Sequence, residues 1–151
     1  LFALLPFLES AHFEVQADAF KTLRAMLTTQ KPAAVAFLDA NYDAFFQAIA
    51  KKIKSENFVT RRETLKLLSE LLLDTANFDI MLRYISDHKN LIMVMGILRD
   101  PKESIRFEAF HVFKVFVANP SKPQPIIDIL ANPISKPKLI DFLTSFQNEK
   151  S

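Results

Sequence analysis

Apolar residues recur along the chain at helical spacing: Leu65, Leu68 and Leu72 in one segment, and Phe110, Phe113 and Val117 in another, each at i, i+3, i+7. Each set draws one apolar stripe along one helix face. The pattern predicts nine helices, over roughly 2–9, 12–28, 32–39, 42–54, 58–73, 77–86, 89–99, 103–118 and 124–147, the last broken near Pro133 and Pro137. Two prolines read as helix starts, Pro101 after Asp100 and Pro133 after Asn132, with the polar residue as N-cap and proline at the first helical position.

Sliding the chain by 45 residues superimposes Phe20, Leu65 and Phe110, then Leu23, Leu68 and Phe113, then Met26, Leu71 and Phe116, then Leu27, Leu72 and Val117. The register carries into the later helices, with Phe37, Leu82 and Ile127 aligned, then Ile49, Val94 and Leu139, then Ile53, Leu98 and Leu143. Three units, 13–57, 58–102 and 103–147, each hold one long helix and two shorter ones, and that period and content predict an all-α solenoid of armadillo or HEAT type. A helical bundle has no reason to hold one offset across three helices. The segment 1–9, apolar and interrupted by Pro6, reads as the last helix of a preceding unit, so the chain is expected to be a C-terminal fragment of a longer solenoid with Phe2, Leu5 and Leu8 exposing apolar surface.

Composition narrows the chemistry. One glycine in 151 residues excludes multi-glycine phosphate loops, and the absence of cysteine excludes disulfides, thiolate zinc sites and cysteine nucleophiles. A net charge of +2 gives no field of the kind that wraps nucleic acid, and the longest apolar run, Leu91 to Leu98, is too short to cross a bilayer. His12, His88 and His111 lie far apart, without the i, i+4 spacing of a helical metal site. Nothing places a hydroxyl beside a base on a sharp turn, so no enzyme activity and no cofactor are expected.

A binding surface is the better prospect. In such a stack the long helices line a groove, and residues at equal positions form ladders across it. Beside the apolar stripe these positions read Ala17, Lys21, Arg24; then Arg62, Lys66, Ser69; then Phe107, His111, Lys114. The strip reads as basic with an aromatic edge, suited to a peptide that brings a carboxylate and rings. Within Leu91 to Leu98, Gly96 is expected to permit close approach of another group, and Met95 stands outside the Leu91, Val94, Leu98 stripe.

The stretches Ser55-Glu-Asn-Phe-Val-Thr-Arg-Arg-Glu-Thr-Leu-Lys-Leu-Leu68, Glu70-Leu-Leu-Leu-Asp74, Asn77-Phe78 and Phe107-Glu-Ala-Phe-His-Val-Phe-Lys-Val-Phe-Val-Ala-Asn-Pro120 resemble the calcium-binding protein 39 family, the Mo-twenty-five or Hym scaffolds, in its C-terminal part. The resemblance implies a non-catalytic cytoplasmic scaffold that binds and activates kinases or pseudokinases of the germinal-centre type, in fungi within polarity networks. It implies a pocket for a Trp-Glu-Phe tail formed by Arg62, Lys66 and Met95 with Phe113 and Lys138, and a kinase-surface contact at Phe78. Thr75 stands where the family has an arginine. No calcium ligands accompany the family's name, and neither nucleic acid, membrane nor a small-molecule substrate is implied.

Overall fold

The computed structural model describes residues 1–132 and the helix backbone of 135–150. After an opening 3-10 helix, Phe2–Glu9, the chain forms α1 (Phe13–Thr28), α2 (Lys31–Ala40), α3 (Tyr42–Ile53) and α4 (Phe58–Leu73). A 3-10 turn, Thr75–Asn77, leads into α5 (Phe78–Ile85), then α6 (His88–Ile97), α7 (Glu103–Ala118), α8 (Gln124–Leu130) and α9 (Ser135–Lys150). No strand occurs among the described residues. The long helices α1, α4 and α7 are each 16 residues and begin at residues 13, 58 and 103, giving the repeat-like packing of a helical solenoid.

Four local expectations need correction. The first segment is a 3-10 helix with Pro6 inside it, and an α-helix there would set the proline ring against the carbonyl four residues earlier. Its Leu5 and Leu8 face inward, at 9% and 0% exposure, and Phe2 stays outside at 38%. Pro101 precedes α7 in a loop, where the Asp100 carboxylate accepts the Lys102 N–H at 2.9 Å, so Asp100 shapes the turn before the helix and Lys102 is the N-cap. Pro137 lies in the first turn of α9, where its missing donor has no intrahelical partner to lose, and does not break that helix. Pro133 lies outside the described residues.

Helix α4 is the centre of the stack. It packs on α1, α3, α5 and α7, most extensively on α7, and buries Leu65, Leu67, Leu68, Leu71 and Leu72 along one broad face. Asn57 starts it by accepting the N–H groups of Val59 and Thr60 at 3.1 and 3.2 Å. Leu23, Leu68 and Phe113, equivalent in register, are all buried. The register frays at the flanks: Leu71 and Phe116 are buried, yet their partner Met26 is 47% exposed, and Val117 and Ile127 also face out. Met26 instead lines an open cleft with Leu1 and Phe37.

Polar ties fasten the layers. Gln16 in α1 donates through Nε2 to the Leu8 carbonyl and to the Thr60 hydroxyl, both at 2.9 Å, and the Thr60 hydroxyl donates to the same carbonyl at 2.8 Å. Arg61 in α4 donates to the Ile53 carbonyl at 3.3 Å and pairs with Asp100. Lys52 reaches Glu9 at 2.6 Å, and Lys31 reaches Asp74 at 3.1 Å. An aromatic run, Tyr42 to Phe46 to Tyr84 to Phe116, links α3, α5 and α7 with ring centroids 4.5, 5.2 and 6.0 Å apart. Gly96 serves no close approach, for a Cβ placed there would meet nothing within 4 Å.

Candidate functional site

Arg62 and Lys66 are four apart on α4 and emerge on the same face. The face is open because the inward positions of this helix are taken by the leucines and by Thr60 and Thr64. The Arg62 guanidinium lies 5.3 Å from the centre of the Phe58 ring and 3.5 Å from the Glu63 carboxylate, and Lys66 is exposed. Lys102 reaches the same Phe58 ring, with Nζ 4.1 Å from its centre, so one aromatic ring holds two cations.

On α7, Phe107 and His111 meet edge to face at 4.5 Å and 88°, and the Lys114 Nζ lies 5.3 Å from the centre of the Phe110 ring. The α7 face therefore carries aromatic and cationic groups side by side.

The strip is not uniformly basic. Arg24 is held by Glu70 at 2.8 Å and lies 3.8 Å from Glu63. Glu108, between Phe107 and Ala109 on α7, faces the α4 charges. Partial burial pushes its carboxyl above the usual range, Lys66 and Arg62 draw it down, and Glu63 and Glu70 push it further up. These three glutamates escaped the ladder reading, which followed only positions flanking the apolar stripe. A signal was present: Glu70 follows Lys66 by four residues, and Glu63 adjoins Arg62.

The remaining residues of the expected tail site are scattered. Met95, on α6, is half-buried against the core, and α6 and α4 each pack on α7. Phe113 is only 2% exposed and belongs to the core between the helices, so its ring offers no surface to a ligand. Ser69 is buried as well, its hydroxyl donating to the Lys66 carbonyl at 2.9 Å. The Lys138 side chain lies outside the described residues.

A second surface forms at the corner between α4 and α5. Asp74 accepts the Ala76 N–H at 2.9 Å and sets the 3-10 turn, which leaves Thr75 exposed and Phe78, the first residue of α5, 54% exposed. Phe78 and Thr75 line an apolar cleft of about 410 Å³ with Leu72, Leu73, Met81 and Val115, and the segment from Asn119 to Ser121 also lines it. Among the described residues no three His, Asp or Glu side chains gather as metal ligands, and no helix is long and apolar enough to cross a membrane.

An all-helical stack with two open, charged or apolar faces defines a helical-repeat protein built to present surface. The chain belongs to the Mo25-like family, which it matches over residues 1–151. It is 53% identical over 91% of its length to the degreening-related gene dee76 protein of Auxenochlorella protothecoides, covering 42% of that protein. It is 50% identical over 96% of its length to human calcium-binding protein 39-like, covering 42%, and 43% identical over 95% to a Mo25-like protein of Schizosaccharomyces pombe, covering 43%. The chain thus spans about two fifths of the length of the curated relatives it matches. The family is one of scaffolds with a protein-interaction role and is not a known enzyme family.

Proposed function

We propose that this chain is the docking part of a cytoplasmic kinase scaffold, and that the α4 to α7 face receives the acidic and aromatic C-terminal tail of a kinase or pseudokinase of the germinal-centre type. The observation that carries this reading is the shared face of Arg62 and Lys66 on α4, with the ring pair Phe107 and His111 at the equivalent register positions of α7, the helix on which α4 packs most extensively. Two cations four residues apart orient a carboxylate, and a neighbouring aromatic surface gives the rings of the ligand something to pack on. Met95 is assigned a share of the apolar wall and Lys138 a further cation. The 410 Å³ cleft at Phe78 and Thr75 is the proposed contact for the kinase domain itself, which the scaffold holds in its active conformation.

The experiment is isothermal calorimetry with a peptide ending in Trp-Glu-Phe. Truncating Met95 to Ala should cost about 2 kcal/mol if it lines a hot spot. Lys66→Glu should weaken binding more than Lys66→Ala, since a like charge then faces the ligand. Salt should weaken the wild type moderately, because packing of the rings is not screened. If Met95→Ala and Lys66→Glu both fold and both bind as the parent does, the site lies elsewhere.

The interleaved glutamates favour one variant reading, a general helical-repeat adaptor whose partner carries both signs of charge. Such a partner would be indifferent to the Trp-Glu-Phe ending, and scrambling the last three residues of the peptide separates the two.

A further inference from the structure

The positions Ala17 and Lys21 on α1 stand 45 residues before Arg62 and Lys66 on α4. The cleft between α1 and α4 is therefore the register equivalent, one rung earlier, of the face assigned above to the tail. It is a real concavity of about 230 Å³. Phe20, 3% exposed, forms its floor, while Phe13, 70% exposed, and the exposed Ala17 form one wall. That space accommodates one large apolar side chain.

Its rim carries more cations than carboxylates. Lys21, Arg24 and Arg62 border the cleft against the single carboxylate of Glu63. Arg24 is committed within the fold, with Nε donating to Glu70 at 2.8 Å and Nη2, itself buried, 3.8 Å from Glu63. Lys21 is exposed and enters no ion pair among the described residues, so its ammonium is the cation open to an incoming carboxylate.

We infer that the α1 to α4 cleft is a second subsite for the same ligand, taking a large apolar side chain followed by an acidic residue that lies upstream of the tail. This rests on the tail reading for its direction. Packed helices lie 8–10 Å apart and an extended strand advances about 3.3 Å per residue, so the upstream apolar residue falls about three residues before the first aromatic of the tail. Arg62 stands on the wall shared by the two sites, which makes them one continuous track.

The test compares three synthetic peptides by fluorescence anisotropy: a short one ending in Trp-Glu-Phe, a long one carrying a Leu-Glu pair with its leucine three residues before the tryptophan, and a long control with Ser-Ser in place of that pair. The Leu-Glu peptide should bind about tenfold more tightly than the other two. Ala17→Phe fills the cleft from an exposed position, and should abolish that gain while leaving the short peptide unchanged. Lys21→Gln should remove most of the gain, and thermal melts of both variants verify that they fold. Equal binding of all three peptides to the wild type overturns the inference and spares the tail reading. A gain that survives in both variants also overturns it. Binding of the Leu-Glu peptide alone, lost in Ala17→Phe, supports the cleft and overturns the tail site; binding of none overturns both.

Discussion

Gln16 and Arg61, 45 residues apart, perform the same task with different chemistry. Each is the fourth residue of a sixteen-residue helix, and each donates to a carbonyl eight residues earlier, Leu8 for Gln16 and Ile53 for Arg61. The acceptors, too, are 45 residues apart. Each side chain then makes a second bond further along the chain, Gln16 to Thr60 in the next unit and Arg61 to Asp100 near the end of its own. A neutral amide suits the first position because its partners are a carbonyl and a hydroxyl, whereas the second faces a carboxylate and takes a guanidinium.

Removing one half of the charged tie should be costly. The Asp100 side chain is only 9% exposed, so Arg61→Met leaves a largely buried carboxylate without its cation. The expected loss is about 3 kcal/mol, and the double variant Arg61→Met with Asp100→Asn should recover part of it. Urea denaturation of the two singles and the double measures the coupling. Independent, additive losses would mean that the pair contributes nothing as a pair.

The carboxylates at the interlayer ties set the response to acid. The Lys52 hydrogen bond holds the Glu9 carboxyl below its usual range, and the Ala76 N–H, with Lys31, does the same for Asp74. Partial burial pushes Asp100 upward but is outweighed by the Lys102 N–H and by Arg61, so it too is lowered. Groups lowered on folding stabilise above their unfolded pKa, about 4, and that stability disappears as pH falls through the folded values. Denaturation midpoints should therefore fall as pH drops below about 4.

Glu108 behaves in the opposite sense. Its carboxyl is raised chiefly by burial, so its contribution is favourable below about pH 4.3 and is lost as pH rises through the folded value. Glu108→Gln should raise the denaturation midpoint at pH 7 and change it little at pH 4. An identical change at both pH values would assign the effect to packing.

Gly96 offers a simple gain. It lies inside α6 without a positive φ, and a Cβ there meets no neighbour. Gly96→Ala should stabilise by about 0.5–1 kcal/mol, mostly by narrowing the unfolded ensemble. A thermal melt suffices, and a loss of stability would show that the small residue is needed for packing.

The helix order was readable because inward positions of α1, α4 and α7 share one register, as Leu23, Leu68 and Phe113 demonstrate. Periodicity put Phe113 on the apolar stripe, where it is buried; its place in the tail pocket came from the family resemblance alone, and a motif match does not tell a ring that lines a pocket from one that fills the core. Glu63, Glu70 and Glu108 were missed because their importance lies in contacts between helices, such as Arg24 to Glu70 across 46 residues. Pro6 pointed to an interruption, yet whether a chain answers it with a break or a tighter 3-10 winding depends on what Leu5 and Leu8 can reach.

The paired fastenings at Gln16 and Arg61 also bear on how the molecule yields under load. Pulled from its ends, a stack pinned at intervals of 45 residues gives way at one pin and then holds at the next. Each release frees about 45 residues, roughly 150–160 Å of taut chain. The two pins differ in kind, neutral hydrogen bonds at Gln16 and a charge pair at Arg61, so acid that protonates Asp100 loosens the second and leaves the first in place.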